Sequence, residues 1–512
     1  MISRTTQSLL GAVGVLAIAV GVAEAHPPTS QAAVSGTTVR TAVQNTALVC
    51  PPPLQGGGST VYSLAVPGSS SATSTTGSAV LGQLGSGAAA SAPSSGASSS
   101  ASSSGASASG ASTSGAQALV QQSSVGGSTS VKAVSGDKAP ALAATAGGAT
   151  APGFTVQQTT TDSDQTLTGT ECTAPGTDFW FAGADSNKGS NDTIVLTNTE
   201  STPSDADIHI FNNAGEVENA QASNLDIPAE GSLSLSLASL LSPFNTNTSL
   251  VVHVVVHTGR IAAALHAQSG SGSDWLPATT LGTSQVLPGL PGDVSDATLV
   301  VADTGATDAE LNIHLASAGG LIVPAGHESI DVKAGTVTAV DLGAITHGEP
   351  AALELTPASG TGQPPVPVVA GLQVVRGGNG STDTGYLAGT GPIGQRATAA
   401  GNAAGDSTLL LSTLTSASTV KVTSIGGSGS TPTVQNVSVP AGATVSVTPK
   451  APSGGGPFAV TIEPVSGGPV YAARMISRKS GSTLGFTIQQ LSDDHSTVEI
   501  PHVVQDGSVL LP

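Results

Sequence analysis

The chain has 512 residues, with 14 Lys or Arg against 33 Asp or Glu, and a formal net charge of −19. Phosphate binding needs clustered cations and single-strand binding needs stacked aromatics, so a chain this acidic and only 2% aromatic is not expected to have a nucleic-acid partner. The length admits about three to five domains at ordinary domain size.

Arg4 precedes an uncharged apolar run from Leu9 to Ala23, followed by Ala23-Glu24-Ala25. A basic residue, a short apolar region and an A-x-A site read as a secretory signal peptide over residues 1–25. The run is shorter than the roughly 20 residues that span a bilayer, although an uncleaved N-terminal anchor is the alternative. Either way the chain is expected outside the cytoplasm, secreted or held to the membrane by this segment alone. Cys50 and Cys172 are the two cysteines, and in an oxidising compartment an even pair reads as a disulfide. Their spacing excludes a CxxC metal or redox site.

No charged side chain lies between Arg40 and Lys132, and from about Ser69 to Gly115 the chain is almost wholly Ser, Ala, Gly and Thr. Such a stretch has too little apolar surface to offset its ordering entropy, so a disordered, low-complexity linker is expected. Beyond residue 150, runs of strand length appear: 192–198 (DTIVLTN), 205–212 (DADIHIFN), 232–238 (SLSLSLA) and 250–257 (LVVHVVVH). Strict alternation in the third places Leu233, Leu235 and Leu237 on the core side of a half-buried strand. No comparable stretch carries a capped 3.6-residue stripe, and the fold class is all-β.

A common order of features recurs three times. Aromatics open the copies at Trp180, Trp275 and Tyr386, which lie 95 (275 − 180) and 111 (386 − 275) residues apart. A Pro/Ala/Gly turn and a strand follow in each, at 227–237, 332–342 and 439–449, and a small-residue strand closes each, from 259, 369 and 469. Periods of about 100 residues with six or seven strands suit tandem Ig-like β-sandwich repeats, with a β-propeller-like array as the alternative. GFTVQQ at 153–158 is echoed by GFTIQQ at 485–490, which suggests a partial N-terminal unit and a closing strand set. The expected organisation is a signal or anchor over 1–25, the start of an N-terminal β unit over 26–68, and a disordered linker over 69–150. Units one, two and three follow over 151–268, 269–377 and 378–512. Trp180, Trp275 and Tyr386 are read as structural plugs, one per independent unit, each worth about 3–5 kcal/mol.

Candidate sites are weak. Gly389-Thr390-Gly391-Pro392-Ile393-Gly394 matches G-x-G-x-x-G but has neither the leading strand nor the following helix of a phosphate site, and reads as a loop. His253 and His257 share one strand face but stand about 13 Å apart along it, too far for one zinc; His266 on the following strand could face one of them across a hairpin, and all three read as partly buried or exposed strand histidines. Asp162/Asp164, Asp303/Asp308 and Asp493/Asp494 lack calcium-loop spacing and read as solvated turns. No Ser/His/Asp set or carboxylate pair stands out, so no catalytic residue, metal or cofactor is assigned.

The string Glu171-Cys172-Thr173-Ala174-Pro175-Gly176-Thr177-Asp178-Phe179-Trp180-Phe181 contains C-x-x-P-G-T-D-[FW]-W-F. With Cys50-Pro51-Pro52, Ser273-Asp274-Trp275 and Pro469-Val470-Tyr471-Ala472-Ala473-Arg474, it resembles an uncharacterised family of exported actinobacterial proteins. The resemblance covers roughly residues 40–512 outside the linker, and the sequence departs from it in that linker and in Tyr386. It implies an envelope or extracellular location and paired cysteines, and brings no activity. The functional expectation is a non-enzymatic cell-envelope scaffold or interaction module with an unknown protein or glycan partner. A carbohydrate-binding accessory of the wall is the second reading, and a cell-wall hydrolase the third.

Overall fold

The computed structural model describes residues 39–500 apart from 54–57, 70, 73, 85–117, 134–138, 188, 219–221, 243–247, 359–363 and 379–380. The expected signal segment and the Ser/Ala/Gly run at 85–117 lie outside the described residues. By its internal contacts the chain divides at Thr41/Ala42 and Thr497/Val498. The smaller part consists of the chain's two ends and carries an exposed Arg40–Glu499 ion pair at 2.7 Å; strands Val39–Ala42 and Thr497–Ile500, which run across the divisions, pair as a two-stranded sheet.

Residues 42–497 are all-β, apart from one described helical turn at Leu237–Leu241. They hold four units, each of two facing antiparallel sheets. If the strands of a unit are numbered one to eight, the order is 1-6-3-4 in one sheet and 5-2-7-8 in the other, and all four units share it. In units one and two the fourth position is split into two short strands beside the third. The expected alternation holds in the fifth strand of unit one, Gly231–Ser236. There Leu233 and Leu235 turn toward the core while Ser232 and Ser234 are exposed, and Leu237 is buried at the start of the helical turn.

The expected boundaries are corrected in two ways. The N-terminal unit is complete, running from Asn45 to Glu171, and four of its strands (Gly77–Gln83, Ala118–Gln122, Gly127–Lys132 and Leu142–Gly148) lie where a linker was expected. Their Gly, Ser, Thr and Ala content imitates disorder, but Leu81, Leu142, Ala144 and Ala146 bury against Tyr62, Leu64 and Val156. Unit one then runs from Asp178 to Leu276, unit two from Gln285 to Ala388, and unit three from Ala397 to Leu491. Trp275 and Tyr386 therefore sit in the closing strands of units one and two, and only Trp180 sits in an opening strand. The unequal 95 and 111 spacings already carried this difference of phase. The GFTVQQ and GFTIQQ strings fall in a seventh and an eighth strand and are not equivalent.

The closing strands Leu167–Glu171, Gly272–Leu276, Ser381–Ala388 and Thr483–Leu491 meet one another in a ring, each touching the next and the last touching the first. Trp275, Tyr386, Ile488 and Gly169 hold one register position in them, opposite His266, Gln373, Met475 and Thr159 of the seventh strands. From this position the side chains cross between units: Tyr386 packs into the core of unit one, and Ile488, with Phe486, into that of unit two. The cores are thus shared, and the expected independence of the units gives way to this interlocking.

Two carboxylates fasten the ring. Asp274 accepts the Gly169 amide at 2.7 Å and the Trp275 amide at 2.9 Å. Asp383 accepts Phe486 N at 2.8 Å and Thr384 N at 2.9 Å. Burial raises both carboxyls, Asp383 to about 7 and Asp274 well above the carboxylate range, against the lowering effect of these amides.

Candidate functional site

Around the ring, the 1-6-3-4 sheet of each unit packs on the 5-2-7-8 sheet of the next. Between units one and two, Trp180, Ala182 and Val251 close on Val300, Ala302 and Val369. The approach is close enough that a Cβ on Gly371 would run into the Ala182 carbonyl. Units two and three meet at Gly289, where a Cβ would lie 2.7 Å from that of Ala473. Unit three meets the N-terminal unit through Ala400 and Ala459 against Ala65. In each of these three contacts the opening strand shifts register at a glycine in the left-handed region: Gly183 at φ +119°, Gly289 at +116° and Gly401 at +69°. The bulge bends the strand toward its neighbour, a conformation glycine adopts without steric cost.

The fourth contact, between the N-terminal unit and unit one, is built differently. Its opening strand, Asn45–Cys50, has no bulge and runs straight into Pro51-Pro52-Pro53, which cannot continue the ladder. On the other side Ala264 pairs with Val195 as Gly371 pairs with Val300, so a methyl stands where the tight contact has a bare backbone. The two sheets stay apart and leave a groove of about 290 Å³. Val49 and Pro51 form one wall, Val195, Ala262 and Ala264 the other, with Phe179 and Trp275 at the side and Glu171, Thr170 and Gln489 toward the ring.

The cysteines stand beside this groove. Cys50 and Cys172 are joined, with S–S 1.98 Å and Cα–Cα 4.4 Å, so the bond ties the first strand of the N-terminal unit to the residue after its last. Thr173 then exchanges backbone hydrogen bonds with Val49, and Gly176 with Ile261, laying the Cys172–Thr177 connector between the two units. The later connectors repeat the first contact, since Thr279 N donates to Trp180 O and Thr390 N to Val286 O. The glycine-rich 389–394 segment is one of these connectors, with an isolated bridge from Ile393 to Val470, just before the seventh strand of unit three.

Among the described residues Glu171 is the only charged one lining the groove. It is half-buried, and no hydrogen bond among the described residues reaches its carboxyl. Burial pushes it up to about 7, against the lowering field of Arg474 and with a further rise from Asp494. Arg474 lies behind it, fully buried and donating to the Ala400 carbonyl and to Gln489 Oε1; burial brings its guanidinium down to about 9. Asp494 is held by Arg396 at 2.5 Å, and Arg396 also donates to Gly68 O at 2.7 Å.

The three aromatics read from the sequence are all buried: Trp180 is 9% exposed, Trp275 3% and Tyr386 1%. Trp180 stacks on His253 with centroids 3.7 Å apart, and His253 meets Asp178 at 3.0 Å. Burial lowers His253 more than Asp178 raises it. His257 pairs separately with Asp207 at 2.9 Å. His266 lies in the other sheet of unit one, edge-on to Trp275, and its burial lowers it to about 4, so the three histidines do not converge. Among the acidic pairs, Asp308 bonds Lys333, Asp303 accepts the Gly305 amide, Asp164 caps Thr166, and Asp493 accepts Gln395 N. Among the described residues no three His, Cys, Asp or Glu are grouped to hold a metal ion.

Sequence reasoning missed Glu171 and the groove. The available signal was Cys50-Pro51-Pro52-Pro53, a proline run where the later opening strands carry a glycine.

The class defined by these features is an all-β protein of interlocked two-sheet units with an apolar groove between the N-terminal unit and unit one. The chain belongs to the family of unknown function DUF5719, whose match spans residues 130–450, from the fifth strand of the N-terminal unit to just beyond the fifth strand of unit three. No curated protein matches it.

Proposed function

We propose that this chain is a non-enzymatic, exported protein of the cell envelope, a rigid scaffold that presents loops and its groove to a partner. The observation that carries the reading is the Cys50–Cys172 bond, which persists in oxidising compartments and is rare in the cytosol. The Leu9–Ala23 run with its A-x-A site supplies the matching export signal or membrane anchor. In finer terms the units are of the Ig-like kind. Their 2–5 and 3–6 strand pairings correspond to B–E and C–F of an immunoglobulin domain, with the outer strands placed differently. The C-x-x-P-G-T-D-[FW]-W-F string supports kinship with exported actinobacterial proteins.

The partner is an envelope protein or a wall glycan. The carbohydrate-accessory reading is weaker because sugar stacking needs an open aromatic face and Trp180, Trp275 and Tyr386 are covered. The hydrolase reading is weaker still, because glycoside cleavage uses two carboxyl groups and among the described residues the groove holds Glu171 alone. Fusing the full chain to a reporter that is active only outside the cytoplasm tests export. Activity with residues 1–25 present and none without them is expected; equal cytoplasmic accumulation of both, with free thiols at Cys50 and Cys172, overturns the reading.

A further inference from the structure

Three of the four inter-unit contacts are packed to backbone distance, and the fourth is held open by a proline exit and by Ala264. Its volume of about 290 Å³ falls at the lower end of small-molecule pockets, far below what a macromolecular interface occupies. Its walls are apolar and aromatic, and a single carboxyl stands on it without a hydrogen-bond partner. We propose that the groove between the N-terminal unit and unit one binds a small organic cation, an apolar body carrying one ammonium group, with Glu171 as counter-ion.

The lining selects this chemistry. An anion would meet Glu171 with no cation among the described residues of the groove surface to hold it. A neutral apolar molecule would leave the carboxylate as unsatisfied as before, a costly arrangement for a charge in low dielectric. An ammonium supplies a hydrogen bond and an opposite charge. The groups that face Glu171 are Arg474 from the seventh strand of unit three and, farther off, Asp494. Arg474 is committed to the Ala400 carbonyl and Gln489 on the interior side, which leaves the groove side of the carboxyl to the ligand. The inference concerns binding alone and does not depend on where the protein operates.

Octylamine, 1-octanol and octanoate share one apolar body and differ in the head group, so their binding to the full chain, followed by titration calorimetry, separates the possibilities. Octylammonium is expected to bind most tightly, and about tenfold more tightly at pH 8 than at pH 6, as a carboxyl near pH 7 ionises while the amine stays charged. Glu171→Gln is expected to remove at least that tenfold for octylammonium and to leave 1-octanol unchanged. Ala264→Trp, which fills the groove, is expected to abolish binding of both. Equal affinity for the three probes, a flat pH profile, no saturable octylamine binding, or unchanged octylamine binding in Ala264→Trp overturns the proposal. Should Glu171→Gln fail to fold, the wild-type pH profile and Ala264→Trp decide alone.

Discussion

Asp274 Oδ1 accepts the amide of Gly169 at 2.7 Å, a hydrogen bond from the closing strand of unit one to that of the N-terminal unit across 105 residues of sequence. The same relation recurs between Asp383 and Phe486. Short carboxylates bonding backbone amides of neighbouring units convert four sandwiches into one interlocked body, and several consequences can be measured.

The Cys50–Cys172 bond closes a loop with a sequence separation of 122. Chain-entropy arguments give closures of that length about 4–5 kcal/mol. Replacing both cysteines by serine should lower the denaturant midpoint accordingly, and the wild-type protein should show no free thiol by reagent titration under denaturing conditions.

Arg396→Ala should be among the most damaging single changes. It leaves Asp494 buried without its partner and removes the hydrogen bonds to Gly68 and Pro152 of the N-terminal unit. Orphaning one member of a buried pair costs about 3–5 kcal/mol. Arg396→Ala with Asp494→Ala should recover part of that loss in a double-mutant cycle.

Gly371→Ala places a methyl against the Ala182 carbonyl, in backbone that cannot rotate away. Overpacking of this kind costs about 1–3 kcal/mol. The corresponding change at the open contact, Ala264→Gly, should have a much smaller effect on the thermal midpoint, since nothing presses on that position.

Stability should fall as pH rises from about 4 to about 7. Glu171, Asp192 and Asp383 are each raised to about 7 by burial, and Asp274 is raised further, so in this window the folded chain holds protons that the unfolded chain has lost. Their contribution is complete below the unfolded carboxyl range and is lost as pH passes the folded values. His266, lowered to about 4, and His253, lowered by burial, act in the opposite sense below about 6.5, but they are two groups against these four. Thermal midpoints at pH 5 and pH 8 should therefore differ, with the lower value at pH 8.

Much of the strand content was legible because it depends on local alternation. The runs read at 192–198, 205–212 and 250–257 correspond to Thr193–Asn198, Ser204–Asn212 and Ser249–Thr258. The N-terminal unit was hidden because GSAVLGQ and GSTSVK have the composition of the adjoining Ser/Ala/Gly stretch, and only pairing with Leu142–Gly148 and Ser59–Val66 reveals them as strands. The phase of the repeat was hidden because Trp180 and Trp275, alike in sequence, do different work: one seals a face between units and the other belongs to the closing ring. The groove arises from a missing bulge at Cys50-Pro51 facing Ala264, a relation between segments more than 200 residues apart that no local pattern encodes.

Backbone hydrogen exchange on Asp383→Ala tests the interlocked ring most directly. The substitution lies in the closing strand of unit two, yet its carboxylate holds the amide of Phe486 in unit three and reaches toward Leu167 in the N-terminal unit, at 2.8 and 3.5 Å. Protection should drop together in Leu167–Glu171, Ser381–Ala388 and Thr483–Leu491. A loss confined to Ser381–Ala388, with the other two strands exchanging as in the wild type, would show that the units stand separately and contradict the account.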